Sequence, residues 1–543
     1  MKDQLTNYII ESLNALDMPS DNVMVNLPKN SGHGDFSSNV AMILSGKLKQ
    51  NPIEIAEKIS KQLQSSYSEF FDEINIAPPG FINFKLSQKL IADTIIDIIQ
   101  KNDDYGKSTI GVDKRVLVEF VSANPTGPLT VGHGRGAMLG DTVSNIMEWN
   151  GYTVEREYYF NNAGRQMRKL GESVYSRYCE LIGKKADFPE GGYEGQYIYD
   201  IAQTLVDQHD KSLFDTADVE IFKNTAEQFI FEDIKNTLKK LGLKFDSFFN
   251  EHALYENNAI FDFIDQLKAK NLVYEKDGAT WFAATNIGHE ADRVLVKSTG
   301  EPTYRLPDMA YHKEKFDRGY DLMIDVFGAD HMDAYPDVLA AISQLGYDKS
   351  KVNVLIHQFV TILKDGAPIK MSTRKANFVT LDELIEEVGS DVVRYFFIMR
   401  GMNTHLNFDL DLAKDESDEN PVFYLQYAHA RVSNILKRAS DFNIEQNMKA
   451  DLSLLKTDTE INLINKMNSF PDIIKRAHET KEPQNIATYL HDLAMCFHKF
   501  YAKHKVITDN VKRTASRLLL VKAMQIVLKN GLTVLGISAP ERM

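Results

Sequence analysis

A chain of 543 residues and 61.7 kDa is too long for a single core, and its 43% apolar and 25% charged content excludes a disordered or fibrous protein. A formal net charge of −14 argues against a general nucleic-acid coat, and two cysteines, Cys179 and Cys496, cannot build a four-cysteine zinc site. The first residues lack a cleavable apolar segment and no apolar run reaches about 18 residues, so export and membrane spanning are not expected and a cytoplasmic location is.

Residues 1–110 predict a small α/β unit. A helix runs through Ile9, Ile10 and Leu13, another from Pro52 to about Leu63, and Ile76–Leu86 reads as a strand with Ile82, Phe84 and Leu86 on one face. After the polar linker Asp103–Gly111, Val116–Val121 forms a buried β-branched and aromatic strand that the Pro125, Gly127 and Pro128 cluster ends. A helix begins near Val131, with Gly132, His133, Gly134, Arg135 and Gly136 in its first turn. Free amides, little side-chain bulk and two basic groups read as aimed outward predict a phosphate or nucleotide site.

Arg156–Tyr178 repeats the order of strand, polar turn and helix, whereas residues 180–280 read as an insertion without a catalytic signal. Residues 281–400 return to strands feeding polar turns, among them DRVLV, LMIDVFGADH and VNVLIHQFV. The sum is an α/β fold with a Rossmann-like open parallel sheet that presents ligands at its carboxyl ends. The loop LKDGAPIKMSTRKAN then places Lys370, Ser372, Thr373 and Arg374 together, a basic loop suited to charge growing on a phosphate. From about Asp411 the pattern is helical, with Leu425, Ala428, Val432 and Ile435 at the spacing of one apolar stripe that Leu493, Phe497 and Phe500 continue. Pro421–Met543 holds 18 Lys and Arg against 11 Asp and Glu, a net +7 that leaves −21 for the first 420 residues. This asymmetry predicts a polyanion engaged at one defined surface.

VGHGRG after a strand and KMSTR before the last helix of the sheet resemble the two signature motifs of class I aminoacyl-tRNA synthetases. HGDFSSNVA (33–41), APPGFINF (77–84), VEFVSANPTGPLTVGHGRGAMLGD (118–141), YRLPDMAYHKEKFDRG (304–319), GADH (328–331), NPVFYLQYAHARV (420–432) and LGISAPERM (535–543) are similar to arginyl-tRNA synthetases in particular, from end to end. The resemblance implies an N-terminal additional domain over 1–110 that contacts the outer corner of tRNA. It further implies a class I catalytic domain over 111–410 with the insertion around 180–280, and an all-α anticodon-binding bundle over 411–543. The implied activity is arginine–tRNA ligation by a monomer: ATP, carried with Mg²⁺, activates L-arginine to arginyl-adenylate, and the arginyl group passes to the 3′ end of tRNA(Arg). No resident metal and no tightly bound cofactor are expected, nor a general base, since the attacking carboxylate is already ionised.

The first signature departs from His-x-Gly-His at Thr130, which donates a hydrogen bond but carries no charge, and the second ends in Thr373 and Arg374. Catalysis is therefore expected of His133 and Lys370, with Thr130 in a smaller part. By resemblance ATP falls on Gly132, His133, Gly136, Asp330, His331, Lys370, Met371 and Ser372. Arginine falls on Glu119, Ser122, Asn124, Tyr304, Asp308 and Gln358, with Glu119 and Asn124 at the head group and Tyr304 and Asp308, four apart on one helix face, at the side chain. The tRNA falls on Tyr427, Arg431 and Arg438. Two alternatives stay open. A nucleotidyltransferase of the same sheet class acting on a small carboxylic acid would leave the basic helical tail idle, and a non-catalytic tRNA-binding scaffold would make Thr130 a mark of decay.

Overall fold

The N-terminal part of the chain wraps four helices around a small antiparallel sheet in the computed structural model, which describes residues 2–26, 28, 34–214, 219–369, 380–444 and 446–543. Its elements are α1 (Lys2–Ala15), β1 (Val25–Asn26), β2 (Phe36–Ser38), α2 (Val40–Leu48), α3 (Pro52–Ser66), β3 (Phe71–Ala77), β4 (Phe81–Leu86) and α4 (Gln88–Lys101). The strand order is β1-β2-β4-β3, antiparallel throughout. Ile82, Phe84 and Leu86 are buried, as their alternation predicts. The stretch Ile76–Leu86 is nevertheless two strands, because Pro78 and Pro79 lack the N–H donors a ladder needs and the chain turns there into a hairpin.

The centre of the chain contributes β5 (Arg115–Glu119), α5 (Val131–Trp149), β6 (Thr153–Phe160), α6 (Gly164–Leu181), α7 (Gln196–His209), α8 (Val219–Lys240), β7 (Ser247–Asn250), α9 (His252–Glu256) and α10 (Ala259–Ala269). There follow β8 (Val273–Lys276), β9 (Ala279–Phe282), β10 (Arg293–Val296), α11 (Arg305–Asp317), β11 (Leu322–Gly328), α12 (Tyr335–Gln344), β12 (Val352–His357), β13 (Val360–Lys364) and β14 (Ala367–Pro368). Strands β12-β11-β5-β6-β7 form one parallel sheet in that order. In chain sequence this is fifth, fourth, first, second, third, the doubly wound arrangement in which the chain reverses direction on either side of β5.

Three expectations need correction. The 180–280 segment is not wholly an insertion, since β7 within it closes one edge of the parallel sheet. The residues around Trp281 and Arg293–Val296 belong to a separate antiparallel sheet, β10-β9-β8. VNVLIHQFV is not one strand: β12 ends at His357, and after Gln358 and Phe359 the chain enters β13, which pairs with β14 and with β15 (Leu406–Asp409).

Beyond α13 (Leu381–Val388), α14 (Ser390–Ile398) and α15 (Leu410–Lys414) come five long helices: α16 (Pro421–Asp441), α17 (Asp458–Asn468), α18 (Phe470–Thr480), α19 (Gln484–Lys503) and α20 (Val511–Val534). Leu425, Ala428, Val432 and Ile435 are buried along α16, and Leu493, Phe497 and Phe500 along α19. Among the described residues no helix is long and apolar enough to cross a membrane.

Candidate active site

A cavity of about 640 Å³ opens at the carboxyl ends of β5, β6, β11 and β12, where a sheet of this order leaves a crevice. The first strand ends in an unusual way. The Ser122 amide donates to the Phe120 carbonyl (3.0 Å) around Val121, whose φ of 69° is rare for a β-branched residue. Ser122 itself has φ 43°. This strained turn folds Ser122 Oγ back to donate to Glu119 Oε1 (2.8 Å), so the strand end presents its carboxylate rather than continuing the ladder.

One end of the cavity is acidic. Helix α11 turns Asp308, Tyr311 and His312 toward it, residues spaced by three and four and so on one face, with Lys315 one turn further on. Tyr304 caps this helix and stands 62% exposed in the cavity lining. Burial raises the Asp308 carboxyl to about 7; the His312 charge opposes the shift, and Glu119 and Glu251 add to it. Glu251, just past β7, accepts from Tyr159 Oη (2.6 Å) and Asn161 Nδ2 (2.7 Å), and burial raises its carboxyl too. The sequence reading missed this carboxylate, because a lone Glu after an unremarkable four-residue strand carries no motif. Asn124 Oδ1 accepts the Asn161 amide (2.9 Å) while its Nδ2 donates to Gln166 (3.2 Å), and Gln358 completes the lining.

The other end is built on the first turn of α5. The Thr130 amide donates to His133 Nδ1 (3.1 Å), and Thr130 Oγ1 lies 3.2 Å from the same nitrogen. A backbone N–H can only donate, so Nδ1 is the acceptor and the ring proton sits on Nε2. Burial lowers the His133 pKa against the pull of Asp330. The imidazole is thus a neutral donor held in place by Thr130. Gly136 leaves room for His357 here, since a Cβ would come within 2.9 Å of its Nε2 and the ring would have to shift. His357, also missed in the sequence, is lowered to about 4, chiefly by burial.

Arg135 contradicts its expected outward aim. Two positions past His133 a helix turns through more than half a revolution, and the guanidinium is fully buried, donating to the carbonyls of Gln358 (2.7 Å), Thr404 (2.9 Å) and Gly401 (3.0 Å). It anchors α5 and takes no part in the cavity. Asp330 and Gly132 line this end as expected. Lys370, Met371 and Ser372, together with the side chain of His331, lie outside the described residues. The first residue described after them, Thr380, forms a β-bridge with Thr130, and the Leu381 amide donates to Leu129 O (2.8 Å).

Far along the chain, α16 presents Tyr427, Arg431 and Arg438 at a spacing of four and seven. The Arg431 guanidinium lies over the rings of Tyr427 (4.4 Å) and Tyr501 (5.2 Å) in a cleft of about 760 Å³ that Phe423, Tyr424 and His498 also line. Arg438 is exposed outside that cleft.

A doubly wound sheet with a Gly-His-Gly helix start at the end of its first strand, followed by a helical bundle, defines a class I aminoacyl-tRNA synthetase. Residues 94–395 match the family model for the class I (R) tRNA synthetase catalytic domain, residues 3–86 that for the arginyl-tRNA synthetase N-terminal domain, and residues 425–543 that for the DALR anticodon-binding domain. The chain is 49% identical over 521 residues to the arginine–tRNA ligase of Desulfotalea psychrophila, covering 96% of this chain and 94% of that one. It is 47% identical to that of Salinibacter ruber with full coverage of both. The solved arginyl-tRNA synthetase of Thermus thermophilus shares its fold, with a TM-score of 0.79 at 22% identity over the whole of both chains. The chain belongs to the arginyl-tRNA synthetase family.

Proposed function

We infer that this chain is an arginine–tRNA ligase. Two half-buried carboxylates, Asp308 and Glu251, at the end of the cavity opposite the His133 turn are the observation that favours arginine over other amino acids: a planar guanidinium carries five donors in a fork that a pair of carboxylates can satisfy. Lysine, with fewer donors in a different geometry, would leave them short of partners, which gives discrimination without a second hydrolytic site.

In the first step a carboxylate oxygen of arginine bonds to the α-phosphorus of ATP, which enters as its Mg²⁺ complex, while the bond from that phosphorus to the pyrophosphate oxygen breaks. In the second a 3′-terminal ribose hydroxyl of tRNA(Arg) takes the arginyl group and AMP leaves. In this reading Glu119, Ser122 and Asn124 receive the amino-acid head group, and Asp308, Glu251, Tyr304 and Gln358 the side chain. Gly132, His133, Gly136 and Asp330 border the nucleotide, with Thr130 setting the His133 tautomer. Action as a monomer in the cytoplasm completes it. Arginine- and ATP-dependent charging of a tRNA(Arg) transcript tests the reading, and charging with a different amino acid, or none, would overturn it.

Because the free enzyme keeps a proton on Asp308 up to about pH 7, and a guanidinium is held by the ionised form, the arginine KM should rise as pH falls below 7 and level off above it. The sign follows from a raised acid: the competent state is lost toward acid. Initial rates from pH 6 to 8.5 at saturating ATP and tRNA check this, and an ATP KM that moved in parallel would point to another group.

On the helical bundle, Tyr427, Arg431 and Arg438 suit splayed bases and backbone phosphate. Arg431→Ala should weaken tRNA binding and flatten the dependence of log affinity on log salt by about one contact's worth, 0.7 to 1 in slope. Filter binding across a salt series reads it directly.

A further inference from the structure

Beneath the acidic end of the cavity lies a group of charges that the ligase reaction as described above does not use. Lys315, fully buried, donates to Glu119 Oε2 (2.5 Å) and Asp325 Oδ1 (2.7 Å). Asp325, on β11 and equally buried, has its other oxygen 3.0 Å from His312 Nε2, and His312 Nδ1 lies 2.8 Å from the backbone carbonyl of Asp308. An unbroken path of four polar contacts therefore joins the carboxylate at the end of β5 to the backbone of the residue expected on the guanidinium.

An ammonium without water is retained only where carboxylates surround it. Burial works against the Lys315 charge, yet Asp325 and Glu119 together hold it above the ordinary lysine range. Burial likewise pushes Asp325 up, and Lys315 with His312 brings it well below the usual carboxylate range. Substituting apolar residues for such a cluster is often neutral for stability, so stability alone gives little reason for it. Its geometry supplies another. Glu119 has one oxygen tied by Ser122 and the other by Lys315, which leaves a single orientation in which its remaining lone pairs meet the cavity. Asp325 shares the Lys315 ammonium, so Glu119 is oriented without being fully neutralised.

We propose that Lys315, backed by Asp325 and His312, is a positioning residue for the α-ammonium of the amino acid, acting by orienting the Glu119 carboxylate. This deepens the arginine-ligase reading and rests on it. Only Glu119 touches the substrate. Lys315 acts through it, and the link through His312 keeps the head-group carboxylate in fixed register with Asp308 some two turns of helix away.

Wild-type charging of tRNA(Arg) with arginine is measured first, since its absence would overturn the ligase reading and not this one. Lys315→Met should then raise the arginine KM by about tenfold or more with kcat and the ATP KM within about threefold. Two arginine analogues separate positioning from general damage. Agmatine keeps the amine and lacks the carboxylate; 5-guanidinopentanoic acid lacks the amine. As competitive inhibitors, agmatine should lose affinity in Lys315→Met as arginine does, whereas 5-guanidinopentanoic acid should bind the variant and the wild type alike. In a Glu119→Gln background Lys315→Met should add less than twofold, the non-additivity expected when one residue acts through another. If the single variant does not accumulate folded, Lys315→Met with Asp325→Asn removes the buried pair together, and the same analogue pattern is expected. Equal losses for both analogues, or additive effects with Glu119→Gln, would overturn the proposal.

Discussion

Asp308→Asn should lower kcat/KM for arginine by about 10³-fold, about 4 kcal/mol of transition-state stabilisation, while the ATP KM stays within about twofold. The side chain keeps its volume, loses its charge and turns one acceptor oxygen into an NH2 donor, which a donor-only guanidinium cannot pair with. A guanidinium brought to that amide keeps Glu251 as its one charged partner of the pair and loses the other, and removing one charge from a pair taken out of water is costly. The raised pKa of Asp308 sharpens the expectation, because the substrate must also draw the carboxyl into its ionised form, and asparagine cannot follow. Tyr304, exposed at the rim, is expected to matter less on removal. Pyrophosphate exchange in the presence of tRNA, with arginine and ATP varied separately, gives both constants. Damage shared equally between the two substrates would remove Asp308 from the guanidinium.

His133→Ala should reduce kcat by roughly 10²- to 10³-fold with little change in arginine KM, the scale of deleting one preorganised donor to a developing charge. The more telling variant is His133→Gln. The ring proton is on Nε2 because Nδ1 accepts the Thr130 amide, and a glutamine amide places an N–H at about the same reach. Gln should recover at least a tenfold part of the loss if the group works as a neutral donor. Were a positive charge the essential feature, Gln would be no better than Ala.

The turn from β5 into α5 was legible in the sequence because its signals agree: a β-branched run, a Pro and Gly cluster, then small residues opening a helix. Asp308 entered through the resemblance alone, with its four-residue spacing from Tyr304 consistent with one helix face. Arg135 was misread through its neighbour. Positions two apart on a helix point in different directions, and nothing local says which of His133 and Arg135 faces the ligand until the carbonyls of Gly401 and Thr404 are in place. Glu251 was hidden for the opposite reason. It follows a strand of four residues inside a helical stretch, and only pairing with β6 brings it to the cavity. Lys315 falls between, since the spacing of Asp308, Tyr311, His312 and Lys315 marks one helix face without saying that its last member is a buried cation.

Arg135 also has a bearing on the order in which the protein is made. Nearly every group assigned to the amino acid has been synthesised once the ribosome passes Asp308, yet the three carbonyls that receive this guanidinium are found at Gln358, Gly401 and Thr404. Until those residues are made, the Arg135 guanidinium lacks the three carbonyls that receive it in the finished structure. The anchor of the nucleotide end is therefore encoded later in the chain than nearly all of the groups assigned to arginine, and it is complete only once residue 404 has been made.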